Sequence, residues 1–370
     1  MNVTINFVLT SISQRAFKRI DSFIRNGYVV NVYCFDRGIV FPLKTDIKPV
    51  IIGSLPPNVP YLKRVITLIK GLRESFRLSE NKIDDYWYYF GMPACVLGSI
   101  MNRRRYIYEE SDMTHNNIRN THIRGILERI DKYIIKRASI SVFTSEGFPE
   151  YHFGKNFRLM NNIVVLPNKL REDIRQLRQV PKSEHPQLTI RFGFVGFIRY
   201  SSILNISDVV SSNFPNHELH FYGILYDSSL NQQFEKLFER DNVFYHGGFK
   251  NPDDLPMIYS NIDVLLSAYD TNSLNAQYAE PNKLYEAIFF RTPIIVSENT
   301  FLAKQVAKFG CGYTVDPFDK SAIINLVTYI ENSLSSKVSE INMIPKDFAV
   351  DNSEDLFNRL AVISRGIDNK

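Results

Sequence analysis

VTINFVLTSISQRAFKRIDSFIRNGYVVNVYCF, residues 3–35, joins two apolar runs through a segment with helical spacing. Residues 3–9 and 29–35 read as strands, and 15–27 reads as a helix closing on Gly27. Neither strand alternates apolar with polar residues, the mark of a strand buried on both faces of a parallel sheet. The alternation continues with strands at 48–53, 85–91, 105–111 and 139–145, and helices at about 61–78, 93–102 and 122–138. REDIRQLRQVPKSEHPQL, 171–188, is polar, carries two prolines and reads as a linker. The alternation then restarts, with strands at 190–197, 218–223, 243–249, 263–269 and 293–297, and helices near 202–212, 228–240 and 301–309. A last helical stretch covers 353–364. The sequence therefore predicts two doubly wound α/β domains facing a cleft. Their expected limits are 1–170, a linker at 171–188, 189–345, and a C-terminal segment 346–370 that packs back on the first domain. Ligands of such sheets sit beyond the carboxyl ends of the strands.

A chain of 370 residues, 44% hydrophobic and 13% aromatic, is long enough for two cores. Cys34, Cys95 and Cys311 lie far apart, without metal-ligand spacing, so a disulfide framework or zinc knuckle is not expected and a reducing compartment is. The first residues lack a basic segment and cleavage site, and no apolar run approaches the ~20 residues that span a bilayer. A cytoplasmic protein, peripheral on the membrane at most, is expected. Residues 1–185 hold 29 basic and 17 acidic residues, a net of +12. Residues 186–370 hold 15 and 22, a net of −7. The basic half points to an anionic partner.

EPNKLYEAIFFRTPIIVSE, 280–298, places charge at the start of a core-like helix. Pro281 suits a first turn, and the free N–H groups of that turn attract phosphate. Lys283 adds a positive charge, and Glu286 can accept from two neighbouring hydroxyls such as a ribose diol. The alternative is that both merely solvate an exposed helix face. Gly196, ending a strand in VGFIRYSS (195–202), allows close backbone approach, and Arg199 beyond it can clamp a phosphate.

FVGFIR (194–199), HFYG (220–223), the run 243–269, EPNKLYEAIFFRTPIIVS (280–297) and GCGYTVD (310–316) resemble the nucleotide-binding domain of retaining family 4 glycosyltransferases, which have the GT-B fold. The resemblance extends more loosely to 25–37, YIYEESD (106–112), VFTSEG (142–147) and VVLPN (164–168). It implies that Glu286 binds the donor ribose and that Arg199 and Lys283 hold the diphosphate. Gly196, Pro281, Asn282 and Leu284 would shape the donor site. The family's second glutamate, eight residues before the ribose-binding one, is replaced by Tyr278, with Glu280 nearby in another register. Its Gly-Gly loop after the first strand is replaced by Thr10, Ser11, Ile12 and Ser13, of which Ser11 is a candidate phosphate contact. Ser111 stands where many relatives carry a histidine, and His115 follows shortly.

Glu109, Glu110 and Asp112 are the densest carboxylate cluster of the first half. One of them, Glu110 foremost, could act as general base, with Glu109 and Asp112 orienting an acceptor. Alternatively the three balance Arg103, Arg104 and Arg105. In 61–78, Leu62, Val65, Ile66, Ile69, Leu72 and Phe76 recur at helical spacing among Lys63, Arg64, Lys70, Arg73 and Arg77. Such a helix can pack on the sheet or lie on an anionic membrane. No GxGxxG follows the first strand, and GxxxxGK[ST], HExxH and DxD are absent. No cofactor or metal is expected, and no nucleic-acid motif accompanies the basic half.

These readings converge on a metal-independent hexosyltransferase that uses a UDP- or GDP-sugar and a lipid-linked or saccharide acceptor. Retention and a bacterial capsule, O-antigen or exopolysaccharide setting come from the resemblance. A nucleotide-sugar epimerase, or a non-catalytic partner subunit with this fold, is the alternative.

Overall fold

The computed structural model describes residues 3–368 except 12, 39–47, 57–58, 80–83, 114, 116–117, 119, 184–188 and 227–228, with side chains to residue 363. The chain packs as two compact units, Met1–Pro167 with Asn352–Lys370, and Asn168–Asp351.

The first unit is a seven-stranded parallel sheet of β1 (Thr4–Leu9), β2 (Val29–Asp36), β3 (Val50–Ser54), β4 (Tyr86–Phe90), β5 (Tyr106–Glu110), β6 (Ile140–Phe143) and β7 (Ile163–Val165). Its order is β3-β2-β1-β4-β5-β6-β7. The helices are α1 (Gln14–Arg25), α2 (Tyr61–Leu78), α3 (Met92–Met101), α4 (Thr121–Arg137) and α5 (Gly147–Phe153). Ser13 starts α1 by accepting from the Ala16 N–H at 3.1 Å. β1, β4, β5 and β6 are almost wholly buried, as expected of strands covered on both faces.

The final helix, α13 (Glu354–Asp368), also belongs to this unit. Leu356 and Leu360 enter the core around Phe7 and Phe23. The Phe357 ring meets Phe23 edge-on at 5.1 Å and stacks on Tyr28 at 5.8 Å. Ser353, just before α13, accepts a hydrogen bond from Arg19 at 2.9 Å.

The second unit carries β8 (Arg191–Val195), β9 (Glu218–Tyr222), β10 (Val243–Gly247), β11 (Val264–Leu266), β12 (Ile294–Ser297) and β13 (Gly312–Val315). These form a parallel sheet in the order β10-β9-β8-β11-β12-β13. One face is covered by α6 (Ser201–Asn213), α7 (Asn231–Phe238) and α12 (Lys320–Asn342). The other is covered by α8 (Leu255–Ser260), α10 (Asn282–Phe290) and α11 (Phe301–Phe309), and the short α9 (Leu274–Tyr278) precedes α10.

Segment 168–183 packs on this unit: Ile174 is buried in its core, and the Leu170 N–H donates to Ala349. Lys182, an exposed residue whose ammonium turns inward, donates to the Tyr259 carbonyl at 2.9 Å, the Thr292 hydroxyl at 3.0 Å and the Ile262 carbonyl. Among the described residues, no helix is long and apolar enough to cross a membrane.

Two details differ from the sequence reading. The strand expected at 190–197 stops at Val195, because Gly196 turns the chain with φ +142°. In α2 the buried side is Leu68, Gly71, Leu72 and Ser75, while Leu62 and Ile66 of the expected stripe face water.

Candidate functional site

In the second unit the strand order reverses direction between β8 and β11, where a doubly wound sheet opens a crevice at its carboxyl edge. Gly196 and Arg199 follow β8, and Tyr269, Asp270 and then α10 follow β11. The two loops are stitched together. Asp270 accepts from the Ser201 N–H at 3.2 Å and the Ser202 N–H at 2.7 Å, which caps α6 with a carboxylate. The Ser202 hydroxyl donates to the Ala268 carbonyl at 2.8 Å, and Tyr200 meets Tyr269 edge-on at 4.8 Å.

Backbone approaches backbone closely here. A Cβ on Gly223, at the end of β9, would lie 1.7 Å from the Gly196 carbonyl oxygen, and Gly223 has φ +151°. Only glycine fits that position. A Cβ on Gly196 itself would meet open space.

The start of α10 is the chemically dense part. Pro281 precedes the helix and no side chain caps it, so the first-turn N–H groups carry the positive end of the helix dipole. Glu286 is fully buried and accepts from the Tyr259 hydroxyl, the Lys283 ammonium and the Asn282 amide, each at 2.6 Å. Burial, then the Glu286 charge, pushes the Tyr259 phenol far above its ordinary range, so it stays a donor. Lys283 is itself buried, which rules out the reading in which both merely solvate an exposed helix face.

The structure thus brings Lys283, Glu286 and Asn282 together. Arg199 is not among their hydrogen-bond partners. It is exposed, donates to the Tyr200 hydroxyl at 2.9 Å, and lies over the Tyr200 and Tyr226 rings at 5.1 and 5.6 Å. Partly buried Tyr269 lies near both groups. Its phenol is raised by burial first and by Tyr200, and both the Glu286 and Arg199 charges act on it. Glu280 is buried and accepts from the Tyr285 hydroxyl. Leu284 is a core residue. Tyr259, Tyr269 and Asp270 were not foreseen, since their roles arise between elements and leave no local pattern.

In the first unit, strand alternation separates the adjacent carboxylates of β5 to opposite faces. Glu109 is fully buried and accepts from Arg19 Nε at 3.1 Å and from the Tyr88 hydroxyl. It is a core ion pair, which corrects its expected place facing an acceptor. Glu110 is also sealed from water, with His152 Nε2 at 3.1 Å from each of its oxygens. Burial, with the nearby Asp131 charge, pushes the Glu110 carboxyl up to about 7. Its burial does not suit a base that must reach an acceptor hydroxyl. Asp112 is exposed and 3.8 Å from Arg15. Ser11 sits half-buried in the bend after β1. Arg105 lies 4.0 Å from Asp84, so its ion pair is made outside the β5 cluster.

Residues 192–340 match the family described as glycosyl transferases group 1. The second unit carries a group 1 glycosyltransferase domain. No curated protein sequence matches this glycosyltransferase, but solved structures match it along nearly its whole length. Sucrose-phosphate synthase from Thermosynechococcus elongatus is 15% identical over 99% of both chains, with a TM-score of 0.70. HepE from Anabaena, in complex with UDP-glucose, is 15% identical over 99% of this chain and 100% of its own, with a TM-score of 0.66. The lipopolysaccharide outer core galactosyltransferase WaaB is 15% identical over 97% and 99%, with a TM-score of 0.63. At these identities the likeness establishes the GT-B fold.

Proposed function

We propose that this glycosyltransferase moves a hexosyl group from a UDP- or GDP-sugar to a hydroxyl of a lipid-linked or saccharide acceptor, with retention, in the assembly of a bacterial surface polysaccharide. The reading rests on one observation above all: a buried Lys283–Glu286 pair at an uncapped helix start, beside the crevice that Arg199 and Gly196 border. Arg199, Lys283 and the N–H groups of the first turn of α10, from Asn282 to Leu284, hold the diphosphate. They stabilise the charge that builds on it as the C1–O bond breaks. Pro281 sets that turn, and Gly196 leaves room for the pyrophosphate beside the backbone. Glu286 receives the ribose diol on the side that Asn282 occupies. Glu280 and Ser11 are secondary donor contacts.

The first unit receives the acceptor, with Asp112 the accessible carboxylate of its cluster. Exposed Tyr61, Leu62 and Ile66 on α2, beside the exposed Lys63, support peripheral attachment to an anionic membrane. The UDP-glucose complex of HepE and the lipopolysaccharide substrate in the description of WaaB support the donor class and the setting.

The test is calorimetry with UDP, GDP and their hexose conjugates, followed by NMR of the products. Micromolar binding that weakens by about tenfold or more in Lys283→Ala and in Arg199→Ala, with slow release of free hexose, is expected. Isomerised nucleotide sugar would make the protein an epimerase. Absence of binding to any nucleotide would sink the donor assignment.

A further inference from the structure

The first unit holds a buried cluster that the donor reading does not use. Glu110 ends β5, Asp131 lies in α4, His152 lies in α5, and His115 lies on the segment between β5 and α4. Their exposures are 1%, 1%, 5% and 2%. One ligand atom from each of Glu110, Asp131 and His152 lies within 4.8 Å of the other two. Asp131 receives the Tyr108 hydroxyl at 2.9 Å on one oxygen, and the other lies 3.3 Å from His115 Nδ1. Among the described residues, neither nitrogen of His115 makes a hydrogen bond, and neither does Nδ1 of His152.

Two features of this cluster call for a cation. When both are ionised, two carboxylates buried side by side carry a charge of −2 that, among the described residues, no lysine or arginine balances at hydrogen-bond distance. A buried ring nitrogen without a partner is also rare, because its lost hydration goes uncompensated. A divalent ion would cancel that charge and accept the lone pair of His115 Nδ1, leaving His115 Nε2 and His152 Nδ1 as the N–H nitrogens of the two rings. The donor set is two imidazoles and two carboxylates, which suits zinc and similar transition metals rather than calcium or magnesium. Tetrahedral zinc with ligands at about 2.0–2.2 Å separates its donors by roughly 3.3 Å. His152 Nε2 and Glu110 are 3.1 Å apart, and His115 Nδ1 and Asp131 are 3.3 Å apart. The Glu110, Asp131 and His152 donors, however, lie within 4.8 Å of one another and His115 falls outside that group, so binding would draw the four together.

We propose that Glu110, Asp131, His152 and His115 form a closed structural site for a divalent transition metal of the zinc class. The ion would tie β5, the segment after it, α4 and α5 together with no open position for substrate. The proposal is independent of the donor reading, because all four residues lie in the first unit.

The experiment uses the tag-free full-length protein. Elemental analysis after purification without chelator should find about one zinc-class ion per chain. Chelator-stripped protein should gain roughly 5 °C in melting temperature on adding Zn2+, and Co2+ should bring the visible bands of a tetrahedral nitrogen–oxygen site. Asp131→Asn keeps shape and the Tyr108 hydrogen bond and should lose most of the Zn2+ response. His115→Ala should lose the Co2+ bands while nucleotide binding persists. No bound ion together with no response to Zn2+ would overturn the site, leaving two imidazolium protons to balance the carboxylates. A Zn2+ response that survives both substitutions, or stabilisation by Ca2+ or Mg2+ alone, would overturn it as well.

Discussion

Glu286 in the second unit and Glu110 in the first are both sealed from water, yet their partners differ in kind. Glu286 meets an ammonium, a phenol and an amide. Glu110 meets an imidazole, with a second carboxylate close by. Glu109, one residue away in sequence and on the other face of the sheet, resembles Glu286, since Arg19 and Tyr88 serve it. A carboxylate with a fixed cation and a phenol has its charge balanced within the fold. One surrounded by imidazoles and another carboxylate is balanced only by ions that come and go, protons or a metal.

The contrast can be broken most directly at Glu286. Alanine there would leave the buried Lys283 ammonium without its counter-ion and Tyr259 without its acceptor. A loss of about 3–5 kcal/mol in urea unfolding is expected. Glutamine keeps one acceptor oxygen and should lose about 1–3 kcal/mol. A loss below about 1 kcal/mol for the alanine variant would show that Lys283 has other support.

Arg19→Met makes the matching change in the first unit. It should lose about 3 kcal/mol, toward the low end for a broken buried pair, because Tyr88 still donates to Glu109. If Arg19→Met proved neutral, Glu109 would have to be neutralised without Arg19, and its likeness to Glu286 would fail.

The smallest effect concerns Lys182, whose ammonium has neutral hydrogen-bond acceptors. Burial, partly offset by Asp263, lowers its value from 10.5 to about 8. The folded chain therefore sheds this proton before the unfolded chain does, so stability rises with pH between about 8 and 10.5. The stability of the native protein relative to Lys182→Met should increase across that window, by about 1 kcal/mol once solvent screening of the exposed side chain is allowed for. A flat difference would mean that the three acceptors hold the ammonium fully charged.

Except at the edge strands β7 and β13, the strand–helix alternation of both sheets was legible because parallel strands buried on two faces leave continuous apolar runs, such as YWYYF in β4. Helix α2 spans the residues its spacing predicts. The longest helix, α12, was not singled out. Serine, asparagine and threonine recur along it, residues that favour caps and turns, and only Ile323, Val327, Ile330 and Ile341 are buried. Its signal was Asp319, which caps Ser321 and Ala322 at 2.8 and 3.1 Å, followed by Ile323, Val327 and Ile330 at helical intervals.

At the candidate site, Lys283 and Glu286 were readable because they share one helix turn. Tyr259 was not, since it reaches Glu286 from a position 27 residues earlier. The Glu110–Asp131–His152 cluster was hidden for the same reason. Its members lie on a strand and two helices, without the short ligand spacing that a sequence motif needs.

One feature of the fold bears on how the molecule is made. The first sheet is finished by a helix that follows the whole second unit in the chain: Arg19 waits for Ser353, 334 residues downstream. Until then the slot beside Phe23 stays open while the whole second unit emerges and folds. A nascent chain halted before residue 352 would keep its group 1 domain intact and expose an oily seam on the other. Synthesis of α13 is thus the event that closes the N-terminal half.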